Sequence, residues 1–418
     1  MGAREATVRY RRLTQLEVNA ICARHDRLWT AKPGGARAVF AWADLSGLDL
    51  SDRNLCDADF TGALLAEANL SGAKLDRATL FGAELQEADL TGASLRRCDL
   101  RGASLRGANL TGADLFEADL REGSIAAHDK VMGLRVIESP LRSSEAQGAT
   151  LVGANLERCK LSGVIAVRAD FSDAIMKECK LVRANLRQAK LTGADLAGAD
   201  LAGADVSGAD LRNAVLVGAK TTAWRADDAD LSGALTDRPA GRLVETLPFG
   251  EMLRAHALWC ETDGAQGAPS SFDKADLRGL KSIRGLNLTA LSARGAIFYG
   301  LDMEGAQLQG AFLQEADLRA CNLRHADLRG AKLTRAKLSG ADLREAQLGP
   351  LVIANNRILP ADLTEAHLRN ADLSGADLRH ACLKQADLTR ARFLGAHLRN
   401  ADLTGAIRHG VMGLTSVI

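Results

Sequence analysis

The side chains best suited to chemistry in this 418-residue chain are eight cysteines, eight histidines and many aspartates. Their spacing fits no familiar reaction centre. The cysteines contain no CxxC pair, so neither a zinc site nor a redox dithiol is spelled out. Free thiols suit a reducing compartment, and the expected location is the cytoplasm. No P-loop, GxSxG elbow or dinucleotide fingerprint occurs. Asn69-Leu70-Ser71, Asn109-Leu110-Thr111 and Asn287-Leu288-Thr289 match a glycosylation pattern only because Asn-Leu recurs throughout. The chain therefore reads as no enzyme, with no cofactor and no metal.

What would have to position these residues is a repeat. From Leu45 to Ile125 every fifth residue is apolar, and two positions before it stands a small residue such as Ala43, Ala58, Ala63 or Ala68. The unit is Ala-Asp/Asn-Leu-X-X. A period of five matches neither a helix nor a flat strand. A second run extends from Leu151 to Leu231, and a third from Leu288 to Leu403. Ile353 and Ile358 keep the third frame through Gly349–Pro360, which reads as two degenerate units inside the coil. Val131, Val136, Leu141 and Ala146 share the second frame, so 126–148 reads as a distorted stretch of one continuous solenoid, a looped-out excursion being the alternative.

If the Leu and the small residue point inward, each unit is a short strand and a corner, and four units close a coil of about twenty residues. Successive coils then pair about 4.8 Å apart. Cys98, Cys159, Cys179 and Cys321 take the small inward position and read as buried fillers, whereas Cys56 and Cys382 should face out. The aspartates beside each Leu should face outward and bond turn backbone. His367 and His397 lie on opposite faces, and His325 and His380 on different ones, so no histidine pair stacks to hold a metal.

Two segments lack the repeat. In the first, Thr14 to Glu17 spells a capping box ahead of a helix of about Gln15–Trp29. In the second, Pro248 can start a helix running to about Cys260. Each has a histidine (His25, His256), a Trp (Trp29, Trp259) and a Gly-rich turn before an array. The histidines read as cap hydrogen bonds to those turns. The tryptophans read as core plugs, exposed anchors being the alternative. The organisation expected is a cap at 1–38, a β-helix at 39–236, a cap or linker at 237–271 and a second β-helix at 272–418.

The in-frame units, such as Ala68-Asn69-Leu70-Ser71-Gly72, resemble the pentapeptide-repeat family. The resemblance implies an all-β solenoid, a right-handed quadrilateral β-helix in two segments with short helical caps. It implies a non-catalytic scaffold whose faces bind a protein partner. The alternative is an acidic mimic of duplex DNA that binds DNA gyrase and protects it from inhibitors, as some relatives do.

Charge narrows the partners. The net charge is +1 and aromatics are 4% of residues, which disfavours nucleic acid. No apolar run is long enough to span a membrane, and the four arginines of the first twelve residues lack the apolar stretch of a secretory signal. Counting by twenty stacks Asp59, Thr79, Asp99 and Asp119 in one acidic column. The same count puts Arg324, Arg344 and Lys384 in a basic column, and Arg319, Arg379 and Arg399 in another. Residues 43–126 carry net −7 and residues 288–406 net +2. The apolar C-terminal segment (Val411, Met412, Leu414, Val417, Ile418) is expected to cap the rod or to form a homodimer contact.

Overall fold

A computed structural model describes residues 10–123, 126–129, 133–136, 143–239, 241–280, 282–353 and 357–414. The chain divides into two compact units, Met1–Asp237 and Arg238–Ile418.

The five-residue unit does what its residue types require. Around Leu55, Asn54 faces outward and bridges Lys74 of the next coil in parallel. Leu55 and Ala58 point inward, and both are fully buried. Cys56 and Asp57 form the corner, which the Ala58 N–H closes by donating to the Leu55 carbonyl at 3.1 Å. The Leu55 N–H donates to the Lys74 carbonyl at 2.7 Å, tying one coil to the next. The second corner residue has a positive φ, +60° at Asp57 and +62° at Gly62. Glycine adopts this freely, and other residues lose about 1 kcal/mol there. Each buried Leu returns about 1.5–3 kcal/mol, so the core wins. Aspartates beside the leucines bond the corner backbone as expected: Ser51 N–H donates to Asp49 Oδ1 at 3.0 Å.

Each unit opens with a leader that covers the raw end of its first coil. In the first, β1 (Arg11–Arg12) precedes α1 (Gln15–Trp29). The capping box forms: the Thr14 N–H donates to Glu17 Oε2 at 2.8 Å, and the Glu17 N–H to Thr14 Oγ1 at 3.3 Å. Val18 and Cys22 of α1 join the core that contains Phe40 and Leu45. β1 lies parallel to β2 (Ala43–Asp44), so the edge of the first coil is paired rather than bare.

In the second unit, past β3 (Ala126–Asp129) and β4 (Gly133–Val136) of the first, the corresponding pieces are β5 (Arg242–Leu243), α2 (Phe249–Glu261) and β6 (Ala275–Asp276). β5 pairs parallel with β6. Phe249 packs 5.1 Å from Phe272. The two leader strands are not readable in the sequence. The tryptophans are not the plugs: Trp29 is 46% exposed and Trp259 only half-buried, while Phe40 and Phe60 stack inside at 4.9 Å.

Two stretches leave the coil: at 126–148 the structure takes the looped-out alternative over the distorted coil, and at 349–360 it corrects the expectation of two degenerate units. Ser104 bridges Glu145 and Asp119 bridges Lys160, a step of 41 residues where neighbouring coils step 20. In the excess, β3 (Ala126–Asp129) pairs antiparallel with β4 (Gly133–Val136). Val131 and Leu141, which had placed this stretch in frame, lie outside the described residues, as does Ile125. In the second unit Lys332 bridges Asp362 and Gln347 bridges Asp377, a step of 30. There β7 (Leu351–Ile353) and β8 (Arg357–Leu359) form an antiparallel hairpin. Ile353 and Ile358 are 40% and 49% exposed, not inward. The physical reason is pairing: in both stretches the backbone bonds to itself across an antiparallel hairpin, so the bridge from one coil to the next passes over it.

Candidate interaction surface

The outward columns are the surfaces that can meet a partner. Asp59, Thr79, Asp99 and Asp119 stack as expected, and the column continues through Lys160 and Lys180. Its charge is already answered. Asp99 takes Arg101 Nε and Nη2 at 2.8 and 2.7 Å, and Asp119 takes Arg121 at 2.9 and 2.7 Å. Burial raises the Asp119 carboxyl, but Arg121 and Lys160 outweigh it and hold it below the usual carboxylate range. Asp59 takes the Thr61 hydroxyl at 2.7 Å.

The Asp-Leu-Arg pair recurs at Asp210–Arg212, Asp276–Arg278, Asp317–Arg319, Asp327–Arg329, Asp342–Arg344 and Asp377–Arg379. Residues two apart on a strand share a side, which puts the guanidinium beside the carboxylate. Arg212 holds the Asp210 carboxyl down at about 2. The faces are sheets of such pairs rather than bare charge.

The basic columns are not as counted. Arg324 and Arg344 do stack, each two residues past bridged Asn322 and Asp342. Lys384 instead follows Cys382, in the file of Lys332 and Asp362, on the opposite face. Arg379 and Arg399 stack after Asp377 and His397. Arg319 follows Asp317, in the file of Lys337, His367 and Asp387, again on the opposite face. The ten-residue excursion at 349–360 advances every later residue by half a coil. Lys384 pairs with Asp402 at 3.2 Å, and Arg399 is exposed.

Cys98, Cys159, Cys179 and Cys321 are buried, as their inward position required, and the Cys159 and Cys179 thiols donate to the Leu115 and Leu156 carbonyls at 2.7 and 2.6 Å. Cys382 is partly exposed, but Cys56 is buried at its corner, contrary to expectation. His25 and His256 are fully buried in the leaders. Each accepts a backbone N–H from the residue past the Gly-rich turn, rather than from the turn itself: Ala38 at 3.0 Å and Ser270 at 3.0 Å. His325 lies 3.2 Å from Glu345, and His380 3.2 Å from Asn400. Among the described residues no group of three or more His, Cys, Asp or Glu is placed to hold a metal ion, and no helix is long and apolar enough to cross a membrane.

The family model for pentapeptide repeats matches residues 38–80, 83–121, 141–177, 179–218, 313–348, 361–393 and 381–411, more than half of the chain. The chain belongs to the pentapeptide-repeat family. This pentapeptide-repeat protein is similar to HetL, involved in heterocyst differentiation regulation in the cyanobacterium Nostoc sp. strain PCC 7120. The identity is 25%, over 95% of this chain and 97% of that one, with a TM-score of 0.19. It is similar to QnrB1, a plasmid-mediated fluoroquinolone resistance protein, at 19% identity over 49% of this chain and 88% of that one, TM-score 0.23. A thylakoid-lumen pentapeptide repeat protein of Arabidopsis thaliana is 30% identical over 32% of this chain and 69% of that one, TM-score 0.18. No curated protein sequence matches the chain.

Sequence reasoning about this pentapeptide-repeat protein missed one group of nearly buried charges. Asp317, Arg319 and Asp387 are 7%, 6% and 6% exposed, on the face that also carries Lys337 and His367. Burial lowers the Lys337 ammonium, Arg319 lowers it further, and Asp317 only partly compensates. No signal could have grouped these residues until the excursion between Lys337 and His367 was recognised.

Proposed function

We propose that this chain is a non-catalytic scaffold of the bacterial cytoplasm that presents β-helix faces to a protein partner. The observation that carries this reading is the division of labour by position. Inward residues are apolar and sealed, while outward residues form flat columns of paired charges stacked coil on coil, a spacing of about 4.8 Å between paired strands. A flat, paired surface suits complementary docking, where charges set specificity and encounter rate more than affinity. Eight unpaired cysteines support a reducing compartment. Val411 and Leu414 pack back on the second core, which supports the end-cap role of the C-terminal segment over a homodimer contact. The test is a photo-crosslinking residue placed in turn at Asp59, Arg324, Arg344, Arg379 and Arg399 of the full chain in cells. Crosslinks to one partner from one face support the scaffold, and equal yields from all five positions sink it.

The gyrase-mimic reading has weaker support. A mimic must fill a site that normally holds phosphates. Here the acidic column is bonded to Arg101 and Arg121 and turns basic at Lys160. Purified gyrase assayed for supercoiling with a fluoroquinolone decides it: protection at equimolar protein would restore that reading.

A further inference from the structure

Both units close their leader on the first coil with the same contact, a backbone N–H pointed at a buried imidazole. His25 sits on α1 and His256 on α2, and both are fully buried. Ala38 and Ser270, the residues that lead into each first coil, donate to Nδ1 at 3.0 Å in both cases. An imidazole nitrogen accepts only when it carries no proton, so Nδ1 of each ring is unprotonated. At His25 the Trp29 indole N–H also points at the ring, 3.1 Å from Nε2. Protonation of Nδ1 would set N–H against N–H in a dry site and leave a buried cation.

Burial outweighs what would stabilise that cation at either ring. At His25 the Cys56 carbonyl, Asp26 on α1 and Asp57 on the first coil favour the cation, and Arg37 opposes it. Among the described residues no charged side chain acts on His256, only the Thr289 carbonyl favours its cation, and its Nε2 makes no hydrogen bond. Burial lowers both histidines. Among the described residues the coils contain no equivalent buried histidine.

We propose that His25 and His256 are acid-operated latches, whose protonation undocks each leader from its β-helix while the coils stay wound. Undocking would unpair β1 from β2 and β5 from β6, leaving the first coil of each unit with a bare strand edge open to association. The docked leader holds the neutral form, so the undocked one binds more protons. Docking is therefore complete above the free-histidine value of about 6.5 and weakens as pH falls below it.

Amide hydrogen exchange of the full chain, corrected for the intrinsic pH effect, tests the latches. Between pH 7 and pH 5 the protection of 15–38 and 249–270 should fall about tenfold per unit below the free value, while coil amides such as those of 60–80 hold. Asparagine places an amide oxygen near the Nδ1 position and takes no proton. H25N/H256N should therefore keep its leader protection at pH 5. Unchanged leader protection in the natural protein, or an equal loss in the variant, overturns the proposal. If the variant does not fold, imidazole proton resonances decide. Both rings titrating at the free value without any change in leader protection also overturns it.

Discussion

Gly330 lies directly under Leu351: a Cβ added to Gly330 would stand 3.1 Å from the Leu351 Cβ and 3.1 Å from Leu359 Cδ2. The corner of one coil is thus the seat for the root of the β7–β8 hairpin. Gly340 has nearly the same backbone, φ +66° against +70°, with nothing within 4 Å of its would-be Cβ. Gly340→Ala should lose about 1 kcal/mol to backbone alone. Gly330→Ala should lose about 1 kcal/mol more and raise hydrogen exchange at 351–359. Equal melting temperatures for the two variants would show that the hairpin root does not rest on this corner.

The hairpin sits outside the coil, so its removal should be tolerated. Deleting residues 350–359 would join Gly349 to Pro360 and restore a twenty-residue step between Lys332 and its bridge partner Asp362. We expect the coil amides of 331–348 and 361–380 to keep their protection, with stability changed by less than about 1 kcal/mol. Were the segment two units of the coil, its loss would break the stacking of every later face, and those amides would exchange freely.

How far the sequence carried the fold depends on which position was followed. Leu and Ala positions are both diagnostic, since both point inward, and together they define four faces and twenty-residue coils. The excursion at 349–360 was missed, and the one at 126–148 was only the alternative reading, because Ile353, Ile358 and Val136 satisfy the Leu position. The small position does not separate them either, since Leu291 and Leu301 hold it inside the coil with their corners closed. One missed hairpin then misplaced Lys384 and Arg319 by two faces. The acidic column was placed correctly because no excursion interrupts Asp59 to Asp119. Its neutralisation was also spelled out, as Asp-Leu-Arg at 99–101 and 119–121. The leader strands, two residues each, carry no periodicity to read.

The inward assignment makes neighbouring substitutions differ sharply. Leu328 is fully buried, whereas the Arg329 side chain is 39% exposed and pairs with Asp327. Leu328→Lys should cost upwards of about 3 kcal/mol through an unpaired buried charge. Arg329→Ala should cost under about 1 kcal/mol, as exposed pairs do. Thermal denaturation of the two variants separates these outcomes, and matching midpoints would reverse the assignment of inside and outside.

Thiol reactivity reports the same geometry without mutation. Burial raises the Cys98, Cys159 and Cys321 thiols, and Cys22 and Cys179 are equally buried. Cys260 and Cys382 are the partly exposed ones. A colorimetric thiol reagent at neutral pH should modify Cys260 and Cys382 first, and all eight only in denaturant. Rapid modification of Cys159 or Cys179 in the native protein would mean that the coil core opens.

The surface pairs set the acid limit of the coils. Arg212 holds Asp210 near 2, well below the unfolded carboxyl at about 3.9. A carboxyl lowered by folding contributes stability that is fully present above the unfolded value and is lost as pH falls toward the folded one. The window for this pair is therefore roughly pH 4 to pH 2. Asp210→Asn keeps the shape but has no proton to take up. The variant should melt below the natural protein at pH 5 and converge with it by about pH 2. A gap that persists at pH 2 would mean that Asp210 does not act through its charge, since the asparagine oxygen still accepts the corner N–H of Arg212 that Asp210 takes at 3.1 Å.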